Sequence, residues 1–426
     1  MMDTPRDRVN LPAQAQTTLT RERKSFAGLL GAAPLGVGLT AGKASSALWT
    51  FPSVVTAAML IAWAAEAAQF LISQGMALAI VAWLQTLPEF AVEAVIAWEA
   101  GKDPEKVHLM IANLTGSLRL LVGLGWPMIY LTAALFSRFK GHGPLRVITL
   151  DKEHSVEVVG LGVPILYFLF VWYKGTLAWY DSVILIAMYL TYLFILNKVP
   201  PKGEESLEDI EAIPRWILRQ RRRRRNAIIS TLFLVGGVAL YFIAHPFLES
   251  MLALALTLGI SSFVFVQWVA PFLSEFPEKV SAFYWARKVS GASMALMNMV
   301  SSNINQWTML AAMLPIVYGL SRQGPHPVVF DAHQRLEILL TISQSMLGMV
   351  LLANMRFHWY EAAILFVLWF AQFVFSGAEV TLATTVKEIV TALYFLWVMI
   401  GILQALFLRR NIEAFIVFPR LLRENW

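Results

Sequence analysis

The sequence contains no cysteine. That excludes disulfides, thiolate metal sites and a cysteine nucleophile. It is also poor in charge, with Asp, Glu, Lys and Arg at 15% of 426 residues, where a soluble domain carries about 25%. Its seven histidines fall in no metal-ligand spacing. HExxH, GxSxG and an Asp-rich diphosphate motif are missing. An intramembrane hydrolase or lipid head-group transferase, the enzyme reading that paired carboxylates would invite, therefore has no recognisable signature, and the chain reads as a non-enzyme without a cofactor. The formal net charge of +6 lies mostly between apolar runs. There it sets topology rather than contacting nucleic acid.

What the chain has in abundance is apolar sequence. Hydrophobic residues make up 58%, and the mean hydropathy is +0.61. Fifteen tryptophans suit interfacial belts. The fold class predicted is all-α and polytopic, with runs of about 20 apolar residues, each able to cross a bilayer as a helix. Eleven spans are expected: 48–70, 75–99, 107–136, 155–173, 180–197, 227–246, 253–286, 293–321, 335–355, 359–377 and 387–408. The organisation that follows is a lead-in (1–46), a first five-helix repeat (47–198), a basic cytoplasmic linker (199–226), a second five-helix repeat (227–378), and an extra helix with a basic tail (379–426). In the lead-in, Arg21, Arg23 and Lys24 precede a mild apolar stretch, Phe26 to Gly42, whose Gly and Pro content disfavours a spanning helix.

Placing the N-terminus outside puts 20 Lys and Arg in the inside loops and 6 in the outside ones. The outside set is Lys102, Lys106, Lys174, Arg322, Arg335 and Lys387. This bias favours that orientation, although the lead-in carries six more basic residues on the outside. A bacterial plasma membrane is the expected location. Arg221–Arg225 is a topology anchor or a contact for anionic lipid.

The chain repeats itself. Trp179-Tyr180-Asp181 returns as Trp359-Tyr360-Glu361, at an offset of 180. Thr86-Leu87-Pro88-Glu89 returns as Glu275-Phe276-Pro277-Glu278, at 189. Asn113-x-x-x-Ser117 returns as Asn298-x-x-x-Ser302, at 185. Five spans per half, an odd number, make the repeats inverted, as in many secondary transporters. Glu89 and Glu278 are the leading site candidates. Each follows a proline that opens its helix and frees carbonyls, and a carboxylate in the membrane interior is costly and functional. Together they suit Ca²⁺ or Na⁺. Asn113 with Ser117, and Asn298 with Ser302, share helix faces and can add neutral oxygens. Glu93 lies four residues past Glu89, and Glu275 three before Glu278.

These paired motifs resemble the two alpha-repeats of the Ca²⁺:cation antiporter superfamily, the sodium/calcium exchanger fold, over about residues 50–378. The resemblance implies ten core helices, alternating access, and Ca²⁺ ligation by Glu89 and Glu278. It implies flanking Na⁺ or Ca²⁺ positions at Thr86, Ser117 and Ser302, and first and sixth spans that slide as gates. The sequence departs from the pattern at Leu121 and Gln306, where an acid or amide is usual, and at Leu118, where the second half keeps Asn303. Glu275 fills a hydroxyl slot. Asn303, Gln306 and Glu275 join the cation-binding candidates. Arg119, two residues past Ser117, points away from the Asn113/Ser117 stripe, since two residues turn roughly 200° around a helix. It either pairs with Glu66 or Glu93, or compensates charge in place of a bound cation. Exchange of Ca²⁺ for Na⁺ or H⁺ is the expected function. Monovalent cation/H⁺ exchange, and a transport-dead sensor or channel, remain the alternatives.

Overall fold

The computed structural model describes residues 45–68, 70–199, 212–257, 265–408 and 412–425. Nearly all of the lead-in, and residues 200–211 of the linker, lie outside them. The first half runs α1 (Ala47–Ala68), α2 (Gln74–Gln85), α3 (Leu87–Lys102), α4 (Val107–Leu120), α5 (Trp126–Phe139), β1 (Val147–Thr149), α6 (Ser155–Lys174), β2 (Thr176–Leu177) and α7 (Trp179–Lys198). A short helix, α8 (Ala212–Leu218), leads into the second half: α9 (Arg222–Thr257), α10 (Ala270–Ser274), α11 (Phe276–Ala286), α12 (Ala292–Asn305), α13 (Ala311–Ser321), β3 (Val328–Val329), α14 (Ala332–Leu352), β4 (Arg356–His358) and α15 (Trp359–Phe375). Helices α16 (Val380–Leu408) and α17 (Glu413–Asn425) follow.

The repeated motifs do the same local work in each half. The acid of each Trp-Tyr-acid motif sits at the third helical position and accepts the backbone N–H just before the helix. Asp181 Oδ2 takes Ala178 N at 2.7 Å, and Glu361 Oε2 takes His358 N at 2.7 Å. These bonds satisfy amides that a helix start leaves orphaned. Each Pro-Glu motif begins a new helix after a break, at Thr86 between α2 and α3 and at Glu275 between α10 and α11. A π-turn joins α4 to α5 at Leu121–Gly125, and another joins α12 to α13 at Gln306–Leu310. A third, Phe265–Val269, precedes α10.

The strands pair across the halves. β1 pairs antiparallel with β4, and β2 with β3. Exchanging the two halves therefore maps one pairing onto the other. The helices behave alike: α1 packs on α9, α6 on α14, α2 on α12, and α4 on the third π-turn. This last contact is close. A β-carbon on Gly116 would lie 2.0 Å from the backbone oxygen of Gln267, so only glycine fits.

Polar groups sit inside and apolar ones outside. Glu89, Asn113, Arg119, Asn298 and Gln306 are buried, while Leu190, Phe194, Leu234, Phe242, Leu396 and Phe407 are exposed. That distribution fits lipid as the solvent, because lipid takes apolar side chains and backbone polar groups must be satisfied within the helices.

Among the described residues, helices fall within each of the eleven expected spans, with shifted ends. Seven are individually long and apolar enough to cross a bilayer. The expected 75–99 span is the bent pair α2–α3, turned by 42°. The expected 293–321 span is α12 and α13 joined by their π-turn, the described part of 253–286 includes α10 and α11 parted at Glu275, and α15 is a 17-residue apolar helix. Three expectations are corrected. Helix α9 begins at Arg222 and runs to Thr257, so most of the arginine run forms its first turn rather than a linker. Helix α16 begins at Val380, so Lys387 lies within it and is buried, not in an outside loop. The tail carries an amphipathic helix, α17, where no element was expected. At Lys387 the apolar pattern misled because a buried carboxylate, Glu337, neutralises the charge that marks a span end in a sequence; the arginines that open α9 are largely exposed, and simply extend the helix beyond its apolar stretch.

Gly116→Ala tests the close approach. Overpacking by one methyl costs roughly 1–3 kcal/mol. The expected result is a melting temperature several degrees lower, read by tryptophan fluorescence. A melting curve that overlays wild type would contradict this packing.

Candidate cation site

Proline explains why each break carries a carboxylate. Pro88 and Pro277 lack an amide hydrogen and occupy the first turn of α3 and α11, where none is needed. Glu89 and Glu278 follow them in the same turn. Unpaired N–H groups and the helix dipole favour negative charge at that end. Thr86 closes α2 and opens α3. Its hydroxyl donates to Ala82 O at 2.9 Å and accepts Asn305 Nδ2 at 2.8 Å.

The helices after each break bring amides to the carboxylates. Gln306 Nε2 donates to Glu89 Oε2 at 2.7 Å and to Glu275 Oε1 at 3.1 Å, and so links the two breaks. Asn298 Nδ2 reaches Gln85 Oε1 at 3.5 Å. The Asn113 amide donates to Glu93. Asn303 Nδ2 reaches Leu118 O at 3.4 Å. Glu278 is fully buried and within electrostatic reach of Glu275 and Glu89.

Several buried oxygens here are left short of hydrogen bonds among the described residues. They are Glu89 Oε1, both Glu278 oxygens, Asn298 Oδ1 and Gln306 Oε1, with the Ser117 hydroxyl beside Glu89 and the Ser302 hydroxyl beside Glu278. Leaving a buried polar group unsatisfied costs about 1–3 kcal/mol. Carboxyl, amide and hydroxyl oxygens gathered with few donors among them suit a hard cation that prefers oxygen. Thus Glu89, Glu278, Gln306 and Glu275 are brought together, and Thr86 joins the same network through Asn305 on the helix that ends at Gln306.

Three residues of the cluster were not anticipated. Asn305 and Gln85 could not be told from other amides in apolar helices. Lys279 had a legible signal. It lies four residues past Glu275, the spacing at which a helix brings two side chains together. Its Nζ lies 2.6 Å from Glu275 Oε2, with the lysine only 4% exposed. Glu275, a candidate ligand, therefore already has a cation.

The expected partners of Arg119 are corrected. Glu66 pairs with Lys288 at 2.5 Å, and Glu93 takes Asn113. Arg119 Nη2 instead lies 2.5 Å from Glu337 Oε2 on α14. Its Nη1 donates to Gln372 Oε1 at 3.2 Å and its Nε to Thr115 O at 3.0 Å. The guanidinium stands 5.0 Å from the Trp268 ring. Glu337 also takes Lys387 from α16. Arg119 faces away from the Asn113/Ser117 stripe, toward α14, so a guanidinium there neutralises Glu337 and not the Glu89/Glu278 cluster.

Helices that expose apolar side chains and enclose ionisable ones, in two similarly built halves around one oxygen-lined cluster, define an integral multi-pass membrane protein. The chain belongs to the sodium/calcium exchanger protein family, whose sequence model matches residues 44–197 and 229–378. It is similar to the H⁺/Ca²⁺ exchanger CAX at 29% identity, over 97% of this chain and 99% of that one, with a TM-score of 0.74. It shares the fold of the sodium-calcium exchanger NCX_Mj soaked with 2.5 mM Na⁺ and 1 mM Sr²⁺, at 18% identity over 79% of this chain and 98% of that one (TM-score 0.57). The same exchanger soaked with 10 mM Na⁺ and no Ca²⁺ gives 18% identity over 79% and 99% (TM-score 0.57). No curated protein matched the chain.

Removing one partner of a buried pair costs about 3–5 kcal/mol. Arg119→Leu is therefore expected to lower the melting temperature sharply, because Glu337 loses the guanidinium and keeps Lys387, with the Gln267 amide and His333 nearby. An unchanged melting temperature would show that the pair carries no structural weight.

Proposed function

We propose that this chain is a secondary transporter that exchanges Ca²⁺ for H⁺ by alternating access, in two inverted five-helix repeats. The observation that carries the reading is the set of buried oxygens short of hydrogen-bond donors at the two Pro-Glu breaks, led by Glu89 and Glu278. Ca²⁺ takes six to eight oxygens in flexible geometry, and carboxylate, amide and hydroxyl oxygens from both halves supply such a set. Asn113, Ser117, Asn298, Ser302 and Asn303 provide the neutral ligands, with Thr86 and Gln306 fixing the breaks.

Protons are favoured over Na⁺ as counter-ion for two reasons. Each carboxyl group in a dry site can take a proton when the divalent cation leaves, which keeps the buried charge low. The first half also has Leu121 where the second has Gln306, so one neutral ligand for a monovalent ion is missing. The H⁺/Ca²⁺ exchanger CAX, similar along nearly its whole length, supports the same choice. The inverted relation of the repeats is supported by the strand pairings, which exchange when the halves are swapped. Helices α1 and α9, packed on each other, would be the gates. The location proposed is a bacterial plasma membrane.

The direct test is ⁴⁵Ca²⁺ uptake into proteoliposomes under an imposed pH gradient or an imposed Na⁺ gradient. Uptake is expected under the pH gradient and is expected to vanish in Glu278→Gln. Uptake under the Na⁺ gradient alone would replace H⁺ by Na⁺ as the counter-ion. No uptake with either gradient, for monodisperse protein, would reject exchange.

Arg221–Arg225, with Arg224 6.0 Å from the Trp216 ring, would hold anionic lipid at about 1 kcal/mol per residue. Replacing all five by Gln should deplete anionic lipid that co-purifies with the protein. Undiminished lipid by mass spectrometry would leave the run as a topology anchor.

A further inference from the structure

A second cluster of ionisable groups lies at the turn before α6, where Lys152–His154 form a single 3₁₀ turn. One carboxylate oxygen each from Asp151 and Glu153, and one imidazole nitrogen of His154, lie within 4.8 Å of one another. His154 is fully buried, Glu153 partly buried and Asp151 exposed. Helices α2 and α17 both pack against this turn. Glu157, in the first turn of α6, crowds the start of α2: a β-carbon on Gly75 would lie 2.6 Å from its Oε1. The break at Thr86 is at the far end of α2, about 16 Å away at 1.5 Å per residue. The cluster is therefore separate from the Glu89/Glu278 centre.

The two halves use these acids differently. Asp151 and Glu157 return as Asp331 and Glu337, at the offset of 180. Asp331 caps α14 by accepting Gln334 N at 2.7 Å, and Glu337 holds Arg119 and Lys387. Asp151 makes no such cap, and His154 stands where the second half has Gln334. Among the described residues neither Asp151 nor Glu157 forms an ion pair with a lysine or arginine; each meets His154 instead. One imidazole thus stands among three carboxylates, those of Glu157, Glu153 and Asp151.

The orientation of that imidazole carries the argument. Nδ1 lies 3.3 Å from Glu157 Oε1, a contact in which the nitrogen donates and the carboxylate accepts; the tautomer is assigned from this contact. Nε2 then presents a lone pair. It is buried and has no hydrogen-bond partner among the described residues, and it faces Asp151 Oδ2 at 4.0 Å. Two acceptors facing each other repel unless a positive centre lies between them. The separation exceeds the roughly 2.7–3.2 Å of an N–H···O hydrogen bond. It is nearer the roughly 3.5 Å between neighbouring ligand atoms of a tetrahedral ion with bonds of about 2.0–2.2 Å. Asp151, being exposed, can rotate to close the difference. A carboxylate holding the other ring nitrogen is the arrangement that orients a metal-binding histidine.

We propose that Asp151, Glu153 and His154 bind a divalent transition-metal ion of the Zn²⁺ type, with Glu157 orienting the imidazole. A nitrogen beside two carboxylates suits a borderline ion, whereas Ca²⁺ and Mg²⁺ take oxygen ligands. The two carboxylates match the charge of the ion, and the exposed side leaves room for water as a fourth ligand. Because α2, α6 and α17 meet at this turn, the ion fastens the tail helix to the first half. No pair of histidines announces the site in the sequence, since it takes one histidine and two acids from four consecutive residues.

The test is calorimetry with ZnCl₂ on the full untagged chain, stripped of metal and held in detergent. Glu278→Gln serves as the parent, so that the central cluster is weakened as a competing binder. Asp151→Asn, His154→Gln, Glu157→Gln and His142→Gln are added to it, each first shown to be monodisperse. The parent should bind one Zn²⁺ per chain, and more tightly than Ca²⁺. Zn²⁺ affinity should fall at least tenfold in Asp151→Asn and be lost in His154→Gln. Glu157→Gln should keep the stoichiometry with affinity about 10–100-fold weaker. His142→Gln, an exposed histidine of the neighbouring loop, should match the parent. X-ray absorption at the zinc edge should show one imidazole among oxygen ligands. Asp151 is exposed, so its variant guards the test against misfolding in the other two. No Zn²⁺ uptake by the parent would overturn the proposal, as would equal uptake by parent, Asp151→Asn and His154→Gln. Tighter binding of Ca²⁺ than of Zn²⁺ at these residues, or an equal loss in His142→Gln, would overturn it too. None of these outcomes bears on Ca²⁺ exchange at the centre, which the uptake assay judges separately.

Discussion

A charge inside a membrane protein must have a partner, and that single requirement organises this molecule. The cost of an uncompensated carboxylate or ammonium in a low-dielectric interior is several kcal/mol. Almost every buried ionisable group here answers it with a specific neighbour: Glu66 with Lys288, Arg119 and Lys387 with Glu337, Asp181 with Lys174, and Glu275 with Lys279. The exceptions are Glu89, Glu93 and Glu278. Glu89 and Glu93 each have an amide on one oxygen, and Glu278 faces the Ser302 hydroxyl. The same physics that demands partners elsewhere singles these three out as buried carboxyl groups with no salt bridge among the described residues.

The pairings also hold the architecture together. Arg119 and Lys387 meet on Glu337, joining α4 of the first half, α14 of the second and the added helix α16. Trp268 and Gln372 close over the guanidinium. The Glu337 network thus ties α16, which lies outside the repeat, to the helix that carries Asn113 and Ser117. Polar contacts concentrate between the halves, where Asn303 reaches the carbonyl of Leu118, its own counterpart in the other repeat.

Symmetric frame and asymmetric side chains serve different ends. Breaks, π-turns, caps and strand pairings recur in both halves because they are backbone devices, set by proline, by the capping acid and by helix packing. The polar inventory recurs only in part: Glu89, Asn113 and Ser117 return as Glu278, Asn298 and Ser302, and the rest does not. Glu275, Lys279, Asn303 and Gln306 stand where the first half has Thr86, Phe90, Leu118 and Leu121, while Glu93 faces Ala282 across the relation. Two halves of similar build thus enclose a polar cluster whose side chains come unequally from each side.

The sequence alone determined the class of the fold, the membrane location and the repeat, because each rests on short-range regularities: apolar runs, Pro-Glu breaks and Trp-Tyr-acid caps at constant offset. It also picked out Glu89 and Glu278, since an acid after proline in an apolar run is a local anomaly. Only the tertiary structure decided which charge meets which. Arg119 meets Glu337 and not Glu66 or Glu93, Lys387 is inside α16, and Glu275 is held by Lys279. The start of α16 shifted for the same reason. A lysine or arginine in a linear reading looks like the edge of a span, and whether it can sit within one depends on a carboxylate elsewhere in the chain, as Lys387 and Arg119 both depend on Glu337.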